Sequence, residues 1–178
     1  MDQETTRSAP RPKPVKHSPE RDERGTPDSL FAELDREFGF TLDAAALPHN
    51  AKLPRFCAPD GTYETAFDGK PVKVSDEHGL LAPWAGERVF LNPPFSDIAA
   101  WVAKAAARVA DVAVLLLPAN RTDQAWWHDF IEPFRDIPGS GVRTRFIRGR
   151  TRFSSAHGYT ENQPPFGCVI VIFEGRKG

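Results

Sequence analysis

Val89-Phe90-Leu91-Asn92-Pro93-Pro94-Phe95 is the stretch on which the reading of this chain turns. A short run of β-branched, aromatic and aliphatic residues predicts a buried strand. It must end at the prolines, which lack the N–H that a sheet ladder needs. Asn92, standing before a proline, is pushed toward extended geometry. A stiff loop is therefore expected at the carboxyl end of a strand, where open α/β sheets place their ligand sites. It offers the Asn92 amide, backbone carbonyls without matching donors, and the ring of Phe95, expected to be exposed. That set suits a flat ligand bearing an amine, such as a nucleobase.

On the carboxyl side, Asp97 is expected to start an alanine-rich helix with Ile98, Trp101, Val102, Ala105 and Val109 on its inner face. Val112 to Leu117 is a continuous apolar run, as in a central parallel strand buried on both faces. Pro118 ends it, and a polar loop (Asn120, Arg121, Thr122, Asp123) leads to a helix carrying Trp126, Trp127, Phe130 and Ile131. These tryptophans are read as core. Arg143 to Phe153 reads as an Arg-rich extended stretch, and Cys168 to Phe173 as a last buried strand.

On the amino side, Thr26 is expected to cap a helix that has Pro27 at its first position. Leu30, Phe31, Leu34 and Phe38 share its inner face, and Gly39 stops it. Phe40-Thr41-Leu42-Asp43 reads as a short strand ending on an acid, followed by a tight Ala44-Ala45-Ala46 turn. Residues 52–87 are less regular, with Arg55-Phe56 and Pro71-Val72-Lys73-Val74 as candidate strands. Strands alternating with helices predict an α/β fold with a mostly parallel sheet flanked by helices.

With 178 residues the chain has the size of one ordinary domain. Residues 1–25 are rich in Pro, Arg, Lys, Glu and Ser and are expected to form a disordered tail before a domain over 26–178. The net charge of −1 excludes a global polyanion-binding signature. Residues 143–178, however, hold seven basic against two acidic side chains. Arg148, Arg150 and Arg152 would lie on one side of an extended strand, at a pitch suited to a phosphate backbone. The same row also fits a solvated edge strand. Two distant cysteines without a secretory signal are expected to be reduced, and no apolar run reaches membrane-spanning length, so a cytoplasmic location is expected. Histidines and cysteines have no metal-ligand spacing, and no metal is expected. Neither cysteine follows a proline as the nucleophile of a cytosine-C5 methyltransferase would.

An exocyclic amine conjugated to its ring is a poor nucleophile. The Asn92 amide oxygen and the Pro93 carbonyl could accept its two hydrogens and turn its lone pair toward an electrophile. Stacking on Phe95 would contribute about 1–3 kcal/mol per base. Alignment with a pre-activated methyl group could contribute up to about 7–11 kcal/mol. Asp43, at a strand end, could bind an ammonium or ribose hydroxyls, or simply cap the next turn.

Several ordered pieces extend this reading. They are Thr26-Pro27 with Leu30-Phe31; Phe40 to Ala46 with Asn50-Ala51-Lys52; and Gly79-Leu80 with Trp84 before Asn92-Pro93-Pro94-Phe95. Beyond the loop come Leu115 to Ala119, Thr122-Asp123 and Trp126-Trp127-His128. The last are Phe146-Ile147, Gly149-Arg150, Phe153 and Phe166-Gly167. In this order, residues 26–173 resemble the phage-type (Dam-like) DNA N6-adenine methyltransferases. The resemblance implies a Rossmann-like fold dependent on S-adenosyl-L-methionine. It implies catalytic roles for Asn92, Pro93, Pro94 and Phe95, and cofactor contacts from Thr26, Pro27, Asp43, Ala44 and Ala45. The substrate implied is double-stranded DNA with the target adenine flipped out; no protein partner is implied. Arg148, Arg150 and Arg152 become candidate DNA contacts. An acid expected two places before Leu80 is His78 here, which passes the adenine-reading role to Glu77 or Asp76. Ala44-Ala45-Ala46 replaces the usual glycine-rich loop. The rival readings keep the fold with another acceptor (guanine N2 in RNA, or a protein glutamine), or make the chain a degenerate DNA-binding module.

Overall fold

A computed structural model describes residues 25–153 and 166–176. The tail expected over residues 1–25 lies outside them except for Gly25.

The first helix, α1 (Asp28–Phe38), buries Leu34 and Phe38 and ends at Gly39, whose left-handed backbone (φ 59°, ψ 62°) a glycine adopts freely. Gly39 donates its N–H to the Asp35 carbonyl at 2.7 Å. Its start differs from expectation. Pro27 occupies the cap position, no side chain caps the helix, and Thr26 is buried instead. Proline fits there because it has no N–H to leave unsatisfied.

Eight strands form one sheet in the order β4-β3-β2-β1-β5-β6-β8-β7. They are β1 (Leu42–Asp43), β2 (Arg55–Ala58), β3 (Gly61–Thr65), β4 (Pro71–Ser75), β5 (Arg88–Leu91), β6 (Val112–Pro118), β7 (Val142–Phe146) and β8 (Cys168–Glu174). The mostly parallel sheet expected from the sequence is corrected. Only β1/β2, β1/β5 and β5/β6 are parallel, while β2/β3, β3/β4, β6/β8 and β7/β8 are antiparallel. The short links between β2, β3 and β4 leave no room for a crossover, so these strands must meander. Strand β8 is buried like a parallel core strand but runs against β6, and burial alone does not specify direction.

The parallel centre, β2-β1-β5-β6, positions the site. From β1 the chain winds outward to β2, then returns to the other side of β1 as β5. The strand order therefore reverses between β1 and β5, where α/β sheets open a crevice at the carboxyl ends. Helix α2 (Ile98–Ala106) carries the chain from β5 to its parallel neighbour β6 and buries Ile98, Trp101, Val102 and Ala105. Val109, expected on that face, lies past the helix and is 61% exposed. A 3₁₀ turn (Ala119–Arg121) follows β6, and α3 (Ala125–Phe130) buries Trp126 and Trp127, as expected of core residues.

The arginine row is a second correction. Strand β7 stops at Phe146, and Gly149 takes a left-handed φ of 82°, which breaks the two-residue alternation. Arg148, Arg150 and Arg152 are exposed in a loop, not aligned on one strand. Arg143 and Arg145, within β7, pair with Glu174 and Glu37. Among the described residues no helix is long and apolar enough to cross a membrane.

Candidate active site

Strand β1 is only two residues long, yet both its edges are paired: Asp43 is in register with Phe56 of β2 and with Phe90 of β5. This delivers Asp43 to the carboxyl end of the sheet beside the residues that follow β5. A cavity of about 520 Å³ opens there, lined among others by Thr26, Asp43, Ala44, Ala45, Asn92 and Pro94. Its size is in the range of small-molecule sites.

Asp43 is 2% exposed. Its carboxylate accepts the Lys52 backbone N–H at 3.0 Å, and Ala45 contributes a second backbone N–H. Burial pushes its pKa up to about 6 against the opposing pull of these two bonds and the Lys52 charge. The Lys52 ammonium is spent elsewhere, on the exposed carboxylate of Asp28. The turn between them is built by Asn50, whose Oδ1 accepts the Leu47 N–H at 2.7 Å.

The wall opposite is the segment after β4. Gly79 packs so closely on β1 that an added Cβ would fall 1.9 Å from the Ala44 carbonyl oxygen and 2.8 Å from the Trp101 ring. Trp84 Nε1 donates to the Gly79 carbonyl at 3.1 Å. Lys104 of α2 donates from Nζ to the carbonyls of Leu80 (2.8 Å) and Ala82 (2.6 Å). The same ammonium lies 4.7 Å from the Trp84 ring centroid, and burial lowers its pKa.

Asn92 and Pro94 face the cavity, but Pro93 and Phe95 are buried behind it. The exposed ring expected of Phe95 is corrected. Phe95 is 7% exposed, and its ring lies 6.1 Å from Phe153 and 6.0 Å from Phe166. Packing against aromatic residues from the distant carboxyl-terminal part of the chain buries the ring on which a base was expected to stack. Asp97 donates its N–H to the Pro94 carbonyl at 3.1 Å, closing the loop before α2.

Two of the expected cofactor contacts, Pro27 and Glu77, lie outside the cavity lining. Pro27 sits at the helix cap while Thr26 lines the cavity. Glu77 is exposed and outside the lining, whereas His78 is part of it. Glu77 instead contributes its backbone carbonyl to Thr62 Oγ1, at 2.7 Å. Lining residues missed at the sequence level include Cys57, Ser96 and Trp101. Their only sequence signal was position, at the end of β2, after the prolines, and on the buried face of α2.

The parallel switch point, the buried acid and the proline-stiffened amide together define a small-molecule site on an α/β sheet, with a planar polar group presented at its rim. The DNA N-6-adenine-methyltransferase (Dam) family matches residues 14–177, and the chain belongs to that family. No curated protein sequence matches the chain. Membership of that family supports DNA adenine N6-methylation as the chain's general activity.

Proposed function

We propose that the chain methylates the N6 amine of adenine in double-stranded DNA, with S-adenosyl-L-methionine as donor and the Asn92–Phe95 loop as the acceptor site. Support comes from one relationship: Asp43 and Asn92 line a single cavity from adjacent strands at the point where the strand order reverses. This parallel centre is the part of the sheet that corresponds to a Rossmann-like methyltransferase fold.

The cavity fits the donor's chemistry. A buried carboxylate whose pKa is raised by desolvation is suited to a ligand ammonium or ribose hydroxyls, which return the interactions it lost with water. Thr26, Asp43, Ala44 and Ala45 would hold the donor, and His78 stands on the wall at the position where an acid was expected. When bound, S-adenosylmethionine supplies a methyl group on a sulfonium, whose C–S bond breaks as the new N–C bond forms.

This chain's own part is positioning. The Asn92 amide oxygen accepts an amine hydrogen and directs the nitrogen lone pair along the line of transfer, while Pro93, buried outside the lining, keeps Asn92 extended. The nitrogen loses one proton after the methyl group arrives, so no strong base is required. Adenine must leave the duplex to reach Asn92, at a cost of a few kcal/mol. Phe95 supports the loop from behind instead of stacking on the base. Arg148, Arg150 and Arg152 would contact phosphates from the exposed loop whose end Phe153 ties to Phe95.

Incubation with labelled S-adenosylmethionine and unmethylated duplex DNA tests this reading, with N6-methyladenine as the readout. Asn92→Ala should lower kcat by about a hundredfold or more, the scale of one well-placed transition-state hydrogen bond. Absence of product from the wild-type chain, or unchanged turnover by Asn92→Ala, would overturn it.

A further inference from the structure

We propose that Arg121 is a positioning residue for the Asn92–Phe95 loop, a role that rests on the methyl-transfer reading of that loop. Arg121 ends the 3₁₀ turn after β6, and β6 is the parallel neighbour of β5, with Leu91 in register with Leu115. The two strands therefore release their chains side by side. Arg121 Nη1 donates to the Phe95 carbonyl oxygen at 2.6 Å.

The sequence of the loop explains why a side chain is needed here. Pro93 and Pro94 have no N–H, so the loop cannot be tied to the neighbouring segment by ladder hydrogen bonds through these residues. A guanidinium supplies from the turn after β6 the donor that a backbone amide would otherwise provide, and a charged donor makes the stronger bond. Phe95 is then held at two points: its carbonyl by Arg121 and its ring by Phe153 and Phe166. Because Phe95 follows the two prolines directly, fixing it transmits through a stiff segment to Asn92. Arg121 does not line the cavity, so its effect falls on the acceptor geometry and not on the donor.

The test compares Arg121→Met, which keeps the apolar stem, with Arg121→Lys, which keeps the charge. The Met variant should lose about ten- to a hundredfold in kcat, the scale of a small misplacement of reacting groups. Its affinity for S-adenosylmethionine and its melting temperature should stay near those of the wild type, and Lys should recover part of the kcat loss. Amide hydrogen exchange at Phe95, Ser96 and Asp97 should accelerate in the Met variant and slow again in the Lys variant. Wild-type exchange at these amides in the Met variant overturns the inference, as does unchanged kcat in an active enzyme. A Met variant with uniformly faster exchange and a much lower melting temperature assigns Arg121 to general stability and also overturns it. If the wild-type chain forms no N6-methyladenine, the functional reading fails, while the exchange measurement still decides whether Arg121 anchors the loop.

Discussion

Asp43 lies in register with Phe90 on the neighbouring parallel strand, so its buried carboxylate stands at the same end of the sheet as Asn92, two residues further on. The acid is kept out of water by the fold, and its two backbone donors only partly offset that cost.

A pH dependence follows. The folded-state pKa of about 6 is raised above the ordinary 3.8, chiefly by desolvation. Folding therefore favours the protonated acid: stability from this group is fully present below about pH 4 and is lost as pH rises through about 6. A shift of this size corresponds to about 3 kcal/mol. Urea unfolding of the ligand-free protein should find Asp43→Asn more stable than wild type at pH 8 by up to that amount, and no more stable at pH 4. The amide oxygen of Asn can still accept the Lys52 N–H, so the variant retains the turn. Its S-adenosylmethionine affinity should nevertheless fall at least tenfold by calorimetry. Equal stabilities at pH 8 would show that the carboxylate bears no desolvation cost.

Gly79→Ala tests the wall of the cavity. A methyl group at Gly79 would meet the Ala44 carbonyl oxygen, which is backbone and cannot swing aside. Overpacking of this kind costs about 1–3 kcal/mol. Because Ala44 and Gly79 both line the cavity, relief of the clash must also move the wall. A lower urea midpoint together with weaker S-adenosylmethionine binding is expected; a variant indistinguishable from wild type in both would remove the close packing from the account.

Phe95→Ala separates a supporting ring from a stacking one. A base-stacking side chain in water could be truncated with little effect on the free protein. Phe95 is instead packed against Phe153 and Phe166, and truncating a buried phenylalanine costs about 3–5 kcal/mol. Thermal unfolding without DNA should show that loss, and Phe95→Leu should recover much of it. A Phe95→Ala protein with wild-type stability would restore the exposed-ring picture.

Only part of the fold is legible in the sequence. Strands β5 and β6, the end of α1 at Gly39, and the meeting of Asp43 with Asn92 rest on local signals: apolar runs and the backbone demands of glycine and proline. Strand β3, Gly61 to Thr65, carries no strand signal in the sequence because Gly-Thr-Tyr-Glu-Thr is mostly polar and exposed along one half. The direction of β8 was not legible, since a strand buried on both faces has the same composition either way. Phe95 looked exposed because Phe153 and Phe166, which cover it, are distant in sequence. His78 lines the cavity at the position where an acid was expected while the neighbouring acid Glu77 is exposed outside it, and sequence in an irregular segment does not resolve which side chain faces inward.

The basic carboxyl-terminal region yields the last prediction. Arg143 and Arg145 are occupied by Glu174 and Glu37, whereas Arg148, Arg150 and Arg152 form no ion pair among the described residues. Only the second group is free to neutralise phosphates. Each phosphate contact adds about 0.9 to the slope of log Kobs against log salt for duplex DNA. Replacing Arg148, Arg150 and Arg152 together by Ala should therefore flatten that slope by about 2 to 3 and weaken binding alike on all sequences. Arg143→Ala and Arg145→Ala should leave the slope unchanged, although Arg145→Ala releases the bidentate contact to Glu37 and should cost some stability. Fluorescence anisotropy titrations at several salt concentrations measure both. An unchanged slope in the triple variant would return these arginines to the role of a solvated loop.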